Sequence, residues 1–267
     1  MKVRDLLKQF PSLSLRDKLI LICHLTGQSQ LSLLTNNLKL DDSQIEIFFS
    51  KASMVLNGYP LQYAIGSWEF YGLEFFLEEG VFIPRPETEV LVEIVLKRLK
   101  PGYVGFEIGT GSGCISITLL KLFSGLVMWG CDINPKAFLL TRKNAFRHGV
   151  LNRLFAHIGD KFSQVKGMKF DFIVSNPPYI PKEMWSQLPV CVKLEGYNST
   201  IAGPTGLEFY KSVVPELCFY LKPGGFCAFE IGHDQAGAVS SLLREQGFKA
   251  MVFKDLSGKD RVVLGWR

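Results

Sequence analysis

The sequence predicts an α/β protein: a Rossmann-like, mostly parallel sheet with an antiparallel last strand, preceded by a small helical domain. Three observations predict it. From Tyr103 onward, short apolar runs of strand character alternate with helical segments of about 10–15 residues. A glycine cluster, Gly109 to Gly113, follows the first of these runs and opens a helix. The last two runs are joined only by Leu256-Ser257-Gly258-Lys259-Asp260, too short for a crossover helix, so they form an antiparallel hairpin.

The elements follow in chain order. Ser14 with Asp17 three residues on resembles a capping box ahead of Leu19, Ile20 and Ile22. Asp41, Asp42 and Ser43 can cap a helix that runs to Leu56 and stops at Asn57-Gly58. Residues 1–58 are therefore predicted as a helical domain. Residues 59–83, rich in aromatics with Gly72 between two strand-like runs, are predicted as a hairpin linker. The catalytic domain is predicted over residues 84–267. Pro86 opens a helix through Leu99, ended by Pro101-Gly102. Strands are predicted at 103–108, 126–131, 154–158, 170–175, 226–231, 248–253 and 261–266, with helices at 113–123, 135–148, 206–221 and 234–246.

Composition excludes several classes. At 47% hydrophobic and 21% charged, the chain has the apolar content for a sizeable core and is not a disordered or collagen-like chain. The opening residues alternate charge and apolarity and carry no signal-peptide core, and no run approaches the ~20 apolar residues of a membrane helix. The six cysteines are scattered without a C-x-x-C, which suits buried, reduced thiols, and the four histidines have no metal-ligand spacing. A cytoplasmic protein without metal or disulfides is expected. A net charge of +5 is mildly basic and does not by itself call for nucleic acid, and no membrane partner is expected.

The glycine loop, Glu107-Ile108-Gly109-Thr110-Gly111-Ser112-Gly113, lies where an open parallel sheet binds ligands, at a helix N-terminus whose N–H groups are unpaired. The next strand ends in Asp132, an acid at the spacing suited to ribose hydroxyls. Two nucleotide readings compete. A dinucleotide site wants G-x-G-x-x-G, but position 114 is Cys. Glu107 would repel a pyrophosphate and could orient or neutralise the cationic end of a sulfonium cofactor, which favours S-adenosylmethionine.

The fourth strand runs into Asn176-Pro177-Pro178-Tyr179. The prolines remove two backbone donors and leave a rigid, acceptor-rich rim. The Asn176 side-chain carbonyl and the Pro177 backbone carbonyl can together accept both N–H bonds of an –NH2 group, with Tyr179 offering a flat face. That suits methylation of a conjugated nitrogen, whose positive charge develops during attack. An amide and the exocyclic amine of adenine both qualify. A protein-binding module that retains a cofactor pocket is a third reading.

Together with Pro60-Leu61-Gln62-Tyr63-Ala64-Ile65-Gly66, Ile83-Pro84-Arg85-Pro86-Glu87-Thr88-Glu89, Pro223-Gly224-Gly225 and Asp255-Leu256-Ser257-Gly258-Lys259-Asp260-Arg261, these motifs resemble the protein-(glutamine-N5) methyltransferases of the HemK/PrmC type. The resemblance covers nearly the whole chain. It implies an S-adenosylmethionine-dependent methyltransferase sheet and a helical domain that helps dock the protein substrate. It implies methyl transfer to the glutamine of the Gly-Gly-Gln motif in class-one peptide chain release factors. Position by position, Gly109, Thr110, Gly111, Ser112 and Gly113, with Glu107, would line the methionine part of the cofactor. Asp132 would take the ribose, and Asp160 and Lys161 the adenine end. Asn176, Pro177, Pro178 and Tyr179 would hold the substrate; Asn176, Pro177 and Tyr179 would carry catalysis, with Asn176 also bordering the cofactor. Arg85, Glu87 and Glu89 would lie near the cofactor entrance rather than serve only as caps and surface pairs. The chain departs from the family at Lys161, where some relatives carry an aromatic, and at Glu195-Gly196, where relatives often read Glu-Pro. The tetrapeptide alone is shared with adenine-N6 methyltransferases of DNA and RNA, which keeps that alternative in play.

Overall fold

The chain divides into two units, Met1–Ser67 and Trp68–Arg267, and the computed structural model describes residues 1–36 and 38–267. The first unit is helical: α1 (Val3–Leu6), α2 (Leu15–Thr26), α3 (Gln30–Thr35), α4 (Asp42–Leu56) and α5 (Leu61–Ile65). Ser14 caps α2 by accepting the Asp17 N–H at 3.0 Å. Asp41 and Gln44 form a reciprocal capping box on α4, and Asn57 follows its last residue. Leu6, Leu21, Ile22, Leu33 and Phe48 are fully buried here. The stretch read as a hairpin linker thus begins with a helix, α5, which Pro60 introduces and Gly66 ends in the left-handed conformation.

The hairpin follows as β1 (Ser67–Phe70) and β2 (Leu73–Phe76). Its two-residue turn places Tyr71 and Gly72 at φ 53 and 72, the doubly left-handed geometry that matches strand twist. Pro86 opens a 3-10 turn, Pro86–Thr88, which passes into α6 (Glu89–Leu96). This helix stops short of Leu99, because Pro101 disfavours helical geometry at Lys100 and the final turn loosens ahead of it.

Seven strands make the main sheet: β3 (Val104–Ile108), β4 (Val127–Asp132), β5 (Leu154–Ile158), β6 (Phe170–Ser175), β7 (Leu221–Glu230), β8 (Lys249–Lys254) and β9 (Asp260–Trp266). Their order is β5-β4-β3-β6-β7-β9-β8. All run parallel except β9, which pairs antiparallel with both β7 and β8. The last strand therefore lies inside the sheet and β8 takes the edge. The chain crosses from one half of the sheet to the other between β3 and β6, and the glycine loop and the Asn-Pro-Pro-Tyr segment both leave from that switch point.

The remaining helices are α7 (Cys114–Leu122), α8 (Pro135–Arg147), α9 (Val190–Lys193), α10 (Tyr197–Thr200), α11 (Glu208–Val213), α12 (Leu217–Tyr220) and α13 (Ala236–Glu245). The single helix predicted over 206–221 is broken into α11 and α12 by a 3-10 turn at Val214–Glu216, where Pro215 has no N–H to donate. Side chains alternate across the sheet: Phe172 and Val174 join one core, Phe106 and Ile173 the other. Gly105 is needed between them, since a Cβ there would run into the side chains of Phe172 and Met128. Of the cysteines, Cys114, Cys131 and Cys227 are buried and Cys23, Cys191 and Cys218 half-buried, all as free thiols. Among the described residues no helix is long and apolar enough to cross a membrane.

Candidate active site

The carboxyl ends of β3, β4 and β6 open into a cavity of about 760 Å³. Of the residues expected to hold cofactor or substrate, all but Gly113 line it; of those expected near its entrance, Arg85 lines it and Glu87 and Glu89 do not. Gly113 instead caps α7 at φ 83, and a Cβ there would lie 2.7 Å from Ile117 Cδ1. The wall built by β3 and β4 is largely backbone. Gly109 and Gly111 hold φ 77 and 55, conformations that a side chain would strain. Gly109 N and Thr110 N donate to Cys131 O at 2.8 and 3.1 Å, tying the loop to β4.

Two acids support this loop. Asp132 accepts Gly111 N at Oδ2 and Asn134 N at Oδ1, each at 2.8 Å. Both of its oxygens already shape the loop, and burial raises its pKa against those bonds. Glu107 is wholly buried at the end of β3. Its Oε2 accepts Ser116 N at 3.1 Å and the Ser116 hydroxyl, from the first turn of α7. Its Oε1 is buried without a partner. Burial pushes the Glu107 carboxyl up to about 8, so an anionic Glu107 calls for a cation in contact. Asp160 and Lys161 sit further along the rim as a 3.6 Å ion pair. Lys161 has φ 48, and its carbonyl accepts the Cys131 thiol at 3.0 Å.

The opposite wall, at the end of β6, is held by side chains. Ser175 Oγ donates to Ile108 O at 2.6 Å and locks the two central strand ends together. Asn176 Nδ2 donates to Thr88 Oγ1 at 3.0 Å. Among the described residues, no protein donor reaches Asn176 Oδ1 or the Pro177 carbonyl. The tail of the motif is clamped on both sides. Ile180 N donates to Thr200 O at 3.1 Å and Ala202 N to Ile180 O at 3.0 Å. Gln235 Nε2 donates to Tyr179 O at 3.0 Å and Gly206 O at 3.1 Å. Gly206 must be glycine, since a Cβ would lie 2.5 Å from Tyr179 O. Burial, with Glu230 nearby, pushes the Tyr179 phenol up to about 12.

Arg85 and Glu195 also line the cavity and pair with each other, and Glu195 Oε2 accepts Ile83 N at 3.3 Å. Burial raises the Glu195 pKa although Arg85 opposes it. Gly196 beside it has φ 97, which a proline, held near −65°, cannot adopt; the departure from Glu-Pro is therefore a change of backbone geometry. Glu89 accepts Tyr71 N at 2.8 Å and braces the hairpin. Sequence reasoning passed over Thr88, Gln235 and Glu230. Thr88 stood inside the Ile-Pro-Arg-Pro-Glu-Thr-Glu block, and Glu230 was a lone acid closing an apolar strand. Either signal was available, but neither residue has a partner nearby in the chain.

The model of the family described as methyltransferase small domain matches residues 73–188. A release factor glutamine methyltransferase of Aquifex aeolicus is 46% identical over 270 residues, covering 100% of this chain and 96% of that protein. One from Clostridium acetobutylicum is 33% identical over 282 residues, covering 100% and 99%. Among solved structures, a methyltransferase from Pyrococcus furiosus superposes with TM-score 0.56 at 18% identity, covering 81% of this chain and 98% of that one. A ribosomal protein L11 methylase from Lactobacillus delbrueckii reaches TM-score 0.52 at 22% identity, covering 72% and 83%. These last two share the fold.

Proposed function

Because the chain belongs to the release factor glutamine methyltransferases, we infer that it methylates the side-chain amide nitrogen of the glutamine in the Gly-Gly-Gln motif of class-one peptide chain release factors. The donor is S-adenosylmethionine, and the modification supports translation termination in the cytoplasm. The observation that carries this reading is the Asn176 carboxamide, with its nitrogen occupied by Thr88 and its oxygen left for a guest.

The cavity suits the donor. Its volume of about 760 Å³ is in the range for a cofactor site. Glu107 Oε1 is buried without a protein partner, so a cationic guest beside it would favour the ionised carboxylate, and the glycine loop admits a ligand against bare backbone. Glu107 and residues 109–112 would hold the methionine part, the remaining lone pairs of Asp132 the ribose, and Asp160 with Lys161 the adenine end. When bound, S-adenosylmethionine supplies a methyl group activated on a sulfonium.

The chain's own residues do the rest. A glutamine amide nitrogen is a poor nucleophile because its lone pair is delocalised into the carbonyl. Asn176 Oδ1 and Pro177 O each accept one of its N–H bonds, which holds the amide plane. As nitrogen attacks and becomes positive, both bonds strengthen, so the stabilisation is greater in the transition state than in the ground state. Tyr179 supports the flat group and stays a neutral phenol at physiological pH. Its role is therefore contact rather than proton abstraction. A strong base is not required, since the proton leaves after nitrogen has become cationic. The test is a mass shift of one methyl on the Gly-Gly-Gln glutamine of a purified release factor incubated with the protein and donor. Methyl label entering nucleic acid instead of release factor would overturn the reading in favour of adenine-N6 transfer.

A further inference from the structure

We propose that Thr88, backed by Glu230, is a positioning residue that turns the Asn176 carboxamide so that its oxygen, not its nitrogen, faces the substrate amide. The inference rests on the glutamine-methylation reading and adds a determinant to it.

The difficulty it resolves is one of shape. The two ends of a carboxamide are nearly identical in size, so packing cannot tell them apart; only hydrogen-bond partners can. In the reversed orientation Asn176 would present an –NH2 group to another –NH2 group, and the acceptor on which the reaction depends would be gone. The orientation must be imposed from behind the side chain.

Thr88 stands there. It is 1% exposed, at the end of the 3-10 turn opened by Pro86. Its hydroxyl has one proton to give. Glu230, buried at the end of β7, is its neighbour, and the Thr88 hydroxyl holds down a carboxyl that burial raises. Burial raises the Glu230 carboxyl to about 7; once ionised it only accepts, and the Thr88 proton then turns toward it. The Thr88 oxygen is left with lone pairs alone, and Asn176 Nδ2 donates to it at 3.0 Å. With Glu230 ionised, donation runs in one sense, from Asn176 to Thr88 and on toward Glu230. Reversing the amide would set Asn176 Oδ1 against a hydroxyl whose proton is already committed.

The anchor at the far end is firm. The Glu230 backbone carbonyl accepts the buried Tyr210 hydroxyl at 2.7 Å, and Glu230 is paired in register with Val262 of β9. Three elements distant in sequence thus meet behind one amide: the turn before α6, the end of β6 and the end of β7. This gives the threonine of the Ile-Pro-Arg-Pro-Glu-Thr-Glu block a task distinct from that of its neighbours Arg85 and Glu89, which pair elsewhere.

The experiment compares Thr88→Val, which keeps the shape and removes the hydroxyl, with Thr88→Ser, which restores it. With release factor as substrate, Thr88→Val is expected to lower kcat roughly tenfold, about the worth of one hydrogen bond. Donor affinity is expected to stay unchanged, and Thr88→Ser to recover most of the rate. A Thr88→Val enzyme with wild-type kcat, or valine and serine variants equally impaired, would overturn the proposal. A second measurement does not depend on the substrate. The side-chain amide protons of Asn176, followed by NMR, should resist solvent exchange in the wild type and Thr88→Ser and lose that protection in Thr88→Val. Unprotected protons in the wild type would also overturn it. Should the wild type methylate no glutamine, the functional reading falls on that result, while the NMR comparison still decides the tether.

Discussion

The cavity has two walls of different construction. On the β3–β4 side the ligand surface is backbone: glycines at positive φ, N–H groups tied to Cys131 O and Asp132, and one buried carboxyl beneath them. On the β6 side it is a short rigid segment whose atoms are aimed by side chains from remote elements, Thr88 behind Asn176 and Gln235 behind Tyr179. The first wall tolerates change in side chains and little change in conformation. The second tolerates small backbone adjustment but depends on particular polar atoms. Damage to the first should appear in donor binding and stability, and damage to the second in turnover.

The largest effect expected is on the second wall. Asn176→Ala removes the oriented acceptor and should lower methyl transfer by roughly 10²–10³-fold, as for loss of a preorganised hydrogen-bonding group. Donor affinity, measured by calorimetry, should persist. Loss of donor affinity together with turnover would erase the distinction between the walls. Next comes Gly113→Ala, at the cap of α7 just behind the first wall. The left-handed φ of 83 and the 2.7 Å approach to Ile117 Cδ1 predict a stability loss of about 1–3 kcal/mol. It should be seen in thermal unfolding and accompanied by weaker donor binding. Gln235→Ala should raise KM for release factor by several-fold with a smaller change in kcat, because it frees the Tyr179 and Gly206 carbonyls at about 1 kcal/mol per bond. An unaltered KM would show that the clamp is redundant with the Ile180–Ala202 bridge.

The smallest effect concerns pH. The Glu107 carboxyl is raised by burial from the model-peptide range near 4.5 to about 8, so the folded chain binds this proton more tightly than the unfolded one. Its contribution is complete below pH ~4.5 and lost as pH rises through about 8. The donor-free protein should therefore lose stability across that interval, and Glu107→Gln should flatten the slope. At pH 8 the variant should melt higher by about 2–4 °C for each kcal/mol regained. An unchanged slope in the variant would place the titration elsewhere, Glu230 being the next buried acid, raised to about 7.

Much of this was legible along the chain because it is local. Ser14 and Asp41 cap the helices they precede, Gly72 turns the hairpin, and alternation from residue 103 onward marks the sheet. Where the reading slipped, a local bias had been outweighed. Pro215 split a helix whose apolar pattern ran straight through it. The antiparallel last strand came out as expected; its place ahead of β8 had no local signal, and register with β7 buries Val262, Val263 and Leu264.

The amino-acid order alone determined which chemistry was possible. Glycines at alternate positions free the backbone, an acid two residues before them favours a cation, and a proline-flanked asparagine leaves acceptors uncovered. These properties depend on neighbours within a few bonds. What only the folded chain decided was direction. Asn176 turns its nitrogen to Thr88, 88 residues away, and the buried Glu230 carboxyl comes from a third element to neighbour Thr88. A hydrogen bond is a matter of which atoms lie within about 3 Å, and packing alone brings these three together.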